Sequence, residues 1–250
     1  MTIIKDIFDY LCSFAPLDLQ MDFDNSGFQL GRVKNRAEKV LLSLDVTDDV
    51  VNEAIDKGSD LIITHHPLLF NPLKSISDEK FLKLAANDIA VISMHTNLDI
   101  CSGGVNDVLA HILGAEVLDS LDEDGCGRVT KLPEPVMLAD FLKKCRSVLN
   151  TKGLRYYDAG LPVSKLAVMG GSGGDAIAAA KEKGCDTYLT ADIKYHQFLE
   201  AESLSINLID GDHFCTENPV IYMLRDKLST EFPEVKFNIS AVHHQLIDFS

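Results

Sequence analysis

Histidine and carboxylate side chains recur at a fixed spacing in the two halves of the chain. His95 is followed four residues later by Asp99, and His213 is followed at the same spacing by Glu217. Each pair comes directly after an apolar run, where a buried strand is expected to end. Imidazole and carboxylate groups are ligands that zinc, manganese, iron and nickel accept. The two pairs therefore predict metal-binding chemistry.

A third set of donors is the sequence His65-His66-Pro67, which follows an apolar run. Neighbouring side chains of a regular strand point to opposite faces, so both histidines reach one site only where the strand ends and the backbone turns. Pro67 favours such an end, because it lacks an amide donor and biases the preceding residue toward an extended conformation. Three donor-rich strand ends are enough for a two-metal site. The alternatives are a chance histidine pair on a loop and a simple helix cap around His213.

The glycine-rich run of residues 170–174 lies between a predicted strand and a predicted helix. Backbone amides at the start of a helix can bind phosphate, and Gly171, Ser172 and Gly173 are the predicted anion-binding residues. A tight turn that only glycine tolerates explains the same pattern equally well. A loose dinucleotide-binding fingerprint is a further alternative.

Asp192 and His196 follow the strand that corresponds, in the second half, to the strand before the histidine pair. We expect both side chains to lie at the same cleft, where they would transfer protons or orient a metal ligand. A capping aspartate with a surface histidine is the alternative.

Strands and helices are predicted to alternate along both halves. Apolar runs of strand length at residues 40–44, 60–64 and 90–94 are separated by segments of helical periodicity, and the same order returns from residue 165. This alternation is typical of crossover connections in a mainly parallel or mixed sheet. Ligands gather at the carboxyl ends of such strands, which is where the donor-rich motifs fall.

An internal duplication is visible in the sequence. A shift of 126 positions lays residues 39–64 on residues 165–190 without a gap, with seven identities in 26 positions. Shared strand–helix–strand chemistry explains some of these identities, but duplication also explains the repeated histidine–acid pair. We therefore predict an α/β fold of two pseudo-symmetric lobes, residues 1–124 and 125–250. Segment 119–164, which is poorer in pattern, is the predicted link.

The charge balance argues against nucleic-acid binding. The chain has 23 basic and 38 acidic residues, a net charge of −15, and no basic footprint. Bound cations would still allow an anionic substrate, because they reverse the local field. No signal-peptide pattern and no apolar stretch of membrane-span length occur, so we expect a cytoplasmic protein without membrane contact. The six scattered cysteines indicate reduced thiols.

Taken together, the motifs resemble those of the Nif3-like dinuclear metal-centre family, whose members are often named GTP cyclohydrolase 1 type 2 homologues. The resemblance rests on residues 60–70, 95–99, 170–173, 190–196 and 211–217, in order across nearly the whole chain. Ala191 departs from the glycine common in the fourth motif. The resemblance implies two interlinked α/β lobes and a toroidal homohexamer with metal sites facing an internal cavity. It also implies a set of metal ligands with His95 close by: His65, His66, Asp99, His213 and Glu217.

The resemblance further implies a hydrolase that holds two divalent metal ions, with zinc, manganese, iron and nickel all compatible with the donors. In the cyclohydrolase reaction a metal-activated hydroxide would attack C8 of the guanine ring of GTP, and the 170–174 turn would bind the triphosphate. Asp192, His196 and His95 would be the catalytic groups. Three alternatives stay open: a phosphoesterase for a nucleotide-like substrate, a non-catalytic metal-binding or regulatory assembly, and a dinucleotide-dependent oxidoreductase. The last leaves the histidine clusters unexplained.

Overall fold

The computed structural model describes residues 1–250 and has the expected α/β composition. The helices are α1 (Ile4–Phe14), α2 (Asp48–Lys57), α3 (Glu79–Ala86), α4 (Thr96–Ile100), α5 (Val105–Ile112), α6 (Leu138–Val148), α7 (Ile177–Glu182), α8 (Tyr195–Leu204), α9 (His213–Glu217) and α10 (Pro219–Glu231). The strands are β1 (Gly27–Leu30), β2 (Lys39–Ser43), β3 (Leu61–Thr64), β4 (Ala90–Ser93), β5 (Glu116–Ser120), β6 (Arg128–Val136), β7 (Arg155–Tyr157), β8 (Val163–Val168), β9 (Thr187–Thr190), β10 (Asn207–Asp210) and β11 (Lys236–Ile239). None of these helices combines the length and the apolar character that crossing a membrane requires.

The first compact unit, unit 1, comprises residues 1–101 and 221–244. Its five-stranded sheet has the order β1-β4-β3-β2-β11. The four strands β4, β3, β2 and β11 are parallel, and only the edge strand β1 is antiparallel. A buried cluster that includes Leu41, Ile62 and Val91 packs the central strands against the helices. The parallel core therefore brings the carboxyl ends of β2, β3 and β4 side by side.

The second compact unit, unit 2, comprises residues 102–220 and 245–250. Its six-stranded sheet has the order β5-β6-β8-β9-β10-β7. Strands β8, β9 and β10 are parallel, whereas β5, β6 and β7 pair in the antiparallel sense. Leu166 and Val168 belong to one buried cluster and Ala167 to another, so both faces of the central strands are covered. The carboxyl ends of β8, β9 and β10 adjoin one another in the same way as those of β2, β3 and β4.

The boundaries of the two units do not fall at the expected division between residues 124 and 125. Strand β11 pairs with β2, which joins a late segment of the chain to the first sheet. Segment 119–164 is not a link: it contains β6, α6 and β7, and β6 pairs with both β5 and β8 in the second sheet. Much of β5 and β6 is exposed, so their sequences lack the long apolar runs by which buried strands are found.

Residues that are identical in the two halves of the internal repeat make the same hydrogen bonds in each half. The Asp60 carboxylate accepts a hydrogen bond from the Lys39 amide at 2.9 Å, and the Asp186 carboxylate accepts one from the Lys165 amide at 2.8 Å. The Lys39 ammonium binds the carbonyl of the last residue of α2 at 3.1 Å, and the Lys165 ammonium binds the carbonyl just after α7 at 2.5 Å. Lysine at this position satisfies a carbonyl at the negative end of a helix. The identical lysine and aspartate residues thus make the same contacts between a strand and the end of the neighbouring helix in both halves.

Candidate metal centre

The histidines of unit 1 follow the ends of two adjacent parallel strands. Thr64, the last residue of β3, pairs in register with Ser93, the last residue of β4, and their hydroxyl groups are 2.9 Å apart. The chain continues from β3 directly into His65 and His66, and from β4 through Met94 into His95. Parallel pairing therefore places all three imidazoles at one edge of the sheet.

The three imidazoles form a compact cluster. Their ring centroids are 5.0 Å apart for His65 and His66, 5.2 Å for His65 and His95, and 5.6 Å for His66 and His95. One ring nitrogen from each lies within 4.8 Å of the other two. Asp99, one turn after His95 in α4, has Oδ1 3.6 Å from Nε2 of His65. This is a donor set of nitrogen and oxygen that first-row transition metals bind.

Each of these histidines is anchored through Nδ1. Nδ1 of His65 lies 2.9 Å from the Met94 carbonyl, Nδ1 of His66 lies 2.7 Å from Asp45, and Nδ1 of His95 lies 2.7 Å from Asp24. A carbonyl or an ionised carboxylate only accepts, so Nδ1 carries the proton in all three. In the neutral form of each ring the lone pair is then on Nε2. Metal-ligating histidines are oriented in this way.

The surroundings of the Asp24 carboxyl group favour its ionised form. Burial acts to raise the pKa of its carboxyl, but hydrogen bonds from His95, Thr96 and Ser26 outweigh burial and hold the pKa well below its usual range. The Thr96 amide and the Ser26 hydroxyl donate to Oδ2 at 3.0 and 2.8 Å, which leaves Oδ1 for His95. The carboxylate is therefore a fixed acceptor that sets the orientation of the His95 ring.

Unit 2 repeats this arrangement at the end of β10. His213 is the first residue of α9, and its Nδ1 lies 2.7 Å from Asp192, which follows β9. Its Nε2 lies 3.1 Å from Oε2 of Glu217, one turn along the helix. Asp212 caps the helix by accepting from the Cys215 amide at 3.1 Å, so the cap and the histidine–glutamate pair coexist. Asp192 and Asp212 both have positive φ, 55° and 71°. Backbone strain of this kind clusters at functional sites.

The glycine-rich turn makes room for Glu217. A Cβ on Gly171, whose φ is +65°, would lie 2.0 Å from Oε1 of Glu217. The amides of the turn are used within unit 2: Gly170 donates to Asn106 at 2.9 Å, Gly171 to Thr216 at 3.1 Å, and Gly173 to Thr190 at 2.9 Å. These contacts agree with the tight-turn interpretation. Anion binding by Gly171, Ser172 and Gly173 stays a prediction, and two of its three amides already have protein acceptors.

The remaining predicted residues lie in different surroundings. Asp192 lies 2.7 Å from Nδ1 of His213, a contact that is compatible with the predicted orienting role; both predicted roles stay predictions. His196 is exposed in the first turn of α8 and makes no hydrogen bond or ion pair. The six cysteines form no disulfide, and burial raises the pKa of the Cys145 and Cys215 thiols to about 12, so these two thiols stay protonated in the core.

Sequence reasoning missed the carboxylates that anchor the histidines, Asp24 and Asp45. Asp45 carries a usable signal, because it comes two residues after β2, at the same sheet edge as the histidines that follow β3 and β4. Asp24 carries none, since its sequence reads as an ordinary turn.

Fold and donors together define an α/β protein with two sheets, each of which carries anchored histidines and carboxylates at its strand ends. The sequence model of the Duf34/NIF3 (NGG1p interacting factor 3) family matches residues 2–247, and the chain belongs to this family. It is 35% identical over 250 residues to a Clostridium perfringens protein named GTP cyclohydrolase 1 type 2 homolog, covering 95% of each chain. It is 33% identical over 222 residues to a Helicobacter pylori protein named GTP cyclohydrolase 1 type 2, covering 87% of this chain and 88% of the relative.

Solved structures of the family have the same fold. A Bacillus cereus protein related to NIF3 superposes with a TM-score of 0.92 at 26% identity, covering 100% of this chain and 99% of the other. Reduced HcgD from Methanocaldococcus jannaschii superposes with a TM-score of 0.87 at 31% identity, covering 97% and 98%.

Proposed function

We propose that the protein is a dinuclear metal-dependent hydrolase that acts on a nucleotide-like substrate. The observation that supports this most strongly is the shared anchoring of four histidines. His65, His66, His95 and His213 each direct Nδ1 to a carbonyl or carboxylate of their own unit. Four histidines held in the tautomer that metals require are better explained by metal binding than by packing.

The proposed ligands are Nε2 of the histidines together with two carboxylates. In unit 1 these are His65, His66 and Asp99, with His95 beside them; in unit 2 they are His213 and Glu217. Nitrogen and oxygen donors of this kind fit zinc, manganese, iron or nickel. When bound, two divalent cations supply Lewis acidity that activates water and stabilises developing negative charge.

The chain's own residues would keep this chemistry in position. Asp45, Asp24 and Asp192 hold the rings of their histidine partners, and the turn at Gly171 lets the Glu217 carboxylate approach the backbone closely. His196 stays a predicted proton-transfer group, since its exposed ring has no competing partner. The names of the relatives make GTP the first substrate to test, with opening of the imidazole ring at C8 as the reaction.

Turnover is tested by incubating GTP with protein reconstituted in turn with zinc, manganese, iron and nickel, and then removing the metal with a chelator. The C8 proton signal of GTP is followed by proton NMR, and cleavage of phosphoesters is followed by phosphorus NMR. We expect loss of the C8 proton signal with at least one metal. His196→Gln should lower turnover without loss of metal, whereas His111→Ala, on the exposed side of α5, is the matched control. A metal-loaded protein that leaves GTP and nucleotide phosphoesters intact would contradict the hydrolase and leave a non-catalytic metal-binding assembly.

A further inference from the structure

Unit 1 contains a cavity of about 660 Å³ that the proposed metal ligands do not occupy. The turn that includes Phe23, Asp24 and Asn25 forms one wall, and residues 69–76, which continue from the histidine pair, form the other. The volume is that of a small-molecule site, since such sites measure about 300–1,000 Å³.

The cavity adjoins the histidine cluster of the same unit. Asp24 lines it and also binds Nδ1 of His95 at 2.7 Å. The ring of Phe70 lies edge-on to the ring of His95, with centroids 6.2 Å apart. A molecule in the cavity would therefore lie next to His95.

Two aromatic rings are presented to the cavity rather than packed in the core. Phe23 is 65% exposed and Phe70 is 46% exposed, and their centroids are 6.3 Å apart with planes tilted by 53°. Leu73 and Ile76 in the same wall are also exposed. Exposed apolar groups that line one concave surface are typical of a binding site. Aromatic rings favour another flat ring, through offset or edge-to-face contact.

Hydrogen bonds to the backbone of Leu69 connect its wall to the opposite wall at Asn25 and to strand β1 at Gln29. The Leu69 amide donates to the Gln29 side chain at 3.1 Å, and its carbonyl accepts from the Asn25 side chain at 2.5 Å. Phe70 follows directly, and Phe23 precedes Asn25 by two residues. The aromatic pair is thus positioned before any ligand arrives, which lowers the entropic cost of binding.

The charge of the cavity favours an anionic group on the ligand. Lys74 lines it and makes no ion pair or hydrogen bond, although the chain has a net charge of −15. The one carboxylate in the lining, Asp24, is committed to His95, Thr96 and Ser26. Asn71 and Ser75 add polar groups that can donate.

We propose that this cavity binds the planar ring of a heteroaromatic ligand through Phe23 and Phe70, and that Lys74 contacts an anionic group of the same ligand. The proposal rests on the proposed function, because it names the ring subsite for the nucleotide-like substrate. It does not require a bound metal, since Phe23, Phe70 and Lys74 are not among the proposed metal ligands.

Binding is measured by calorimetry with chelator-treated, metal-free protein, using guanosine, GTP and inorganic tripolyphosphate as probes. Guanosine and GTP should bind. Phe23→Leu and Phe70→Leu keep apolar volume but lose the aromatic face. Each variant should bind guanosine and GTP more weakly than the wild type, by about five-fold or more. Lys74→Met should weaken GTP and leave guanosine unchanged. Tyr222→Ala, another half-exposed aromatic residue of unit 1, should change neither.

Failure of guanosine to bind the wild type, or Phe23→Leu and Phe70→Leu affinities equal to that of Tyr222→Ala, would overturn the proposal. Equal binding of tripolyphosphate and GTP would also overturn it, because the ring would contribute nothing. The proposed hydrolase function can fail while the ring subsite stands. This is the case if the protein takes up no metal but binds guanosine through Phe23 and Phe70. Conversely, the protein lacks the ring subsite if it hydrolyses GTP and the Phe23→Leu and Phe70→Leu variants bind GTP as tightly as the wild type does.

Discussion

The contact between Gly171 and Glu217 leads to a prediction that separates backbone strain from damage to the metal site. Gly171→Ala places a Cβ 2.0 Å from Oε1 of Glu217 at a backbone φ of +65°. A left-handed conformation costs an alanine about 1–2 kcal/mol. The Cβ contact cannot be tolerated, so Glu217 must leave its position, and with it the 3.1 Å contact to His213.

Gly184→Ala is the matched control. Its φ is +75°, and an added Cβ would meet only the end of the Lys165 side chain at 3.7 Å. It should therefore carry the same backbone cost of about 1–2 kcal/mol, which is a fall in Tm of roughly 2–8 °C for a chain of this size. Gly171→Ala should be less stable than this control and, in addition, bind metal about 10–100-fold more weakly, as expected when the surroundings of a ligand are disturbed.

The assay combines thermal unfolding of metal-free protein with a metal titration against a competing chelator. Metal affinity should fall for Gly171→Ala and stay at the wild-type value for Gly184→Ala. Equal metal affinity and equal Tm in the two variants would refute the reasoning, because the turn would then have no function beyond its backbone conformation.

Three further predictions concern an anchoring carboxylate, a partly buried glutamate and assembly. Asp45→Asn should reduce metal affinity about 10–100-fold in chelator competition, because it removes the ionised partner of His66 at 2.7 Å; unchanged affinity would argue against the anchoring role. Glu53 is partly buried, which raises its pKa, but hydrogen bonds from Lys57 and Ser240 outweigh burial and lower the pKa from 4.5. Its contribution is therefore complete above pH 4.5 and is lost as the pH falls through the lowered folded-state value. Glu53→Gln should cost about 1–3 kcal/mol in urea unfolding at pH 7 and approach the wild type in acid; a pH-independent difference would contradict the assignment. Light scattering should give the mass of a homohexamer, as the family resemblance implies, and a monomer would exclude that expectation.

Several strands and helices of unit 1 could be predicted from the sequence because their signals are local. Helix α2 lies in the segment of helical periodicity between the runs at residues 40–44 and 60–64; at its start Thr47 accepts from the Val50 amide, and at its end Gly58 adopts φ 62°. Such caps are visible in a few consecutive residues. The same holds for the buried strands β3 and β4, which lie in the short apolar runs at residues 60–64 and 90–94.

The anchoring of the histidines could not be predicted in this way. Asp24 and His95 are 71 residues apart and Asp45 and His66 are 21 apart, so no periodicity links them. The role of the glycine-rich turn depends likewise on Asn106, 64 residues before Gly170. Whether a backbone amide faces a ligand or another part of the chain is decided by tertiary contacts of this range, and the turn sequence itself is the same in both cases.

Metal content by elemental analysis of protein purified without an affinity tag tests the central claim most directly. We expect about two divalent metals per chain in the wild type. The double variants His65→Ala/Asp99→Ala and His213→Ala/Glu217→Ala should retain far less, and His111→Ala should retain the wild-type amount. Wild-type protein that contains no metal, and takes up none when offered zinc, manganese, iron and nickel, would contradict the metal site and the hydrolase built on it.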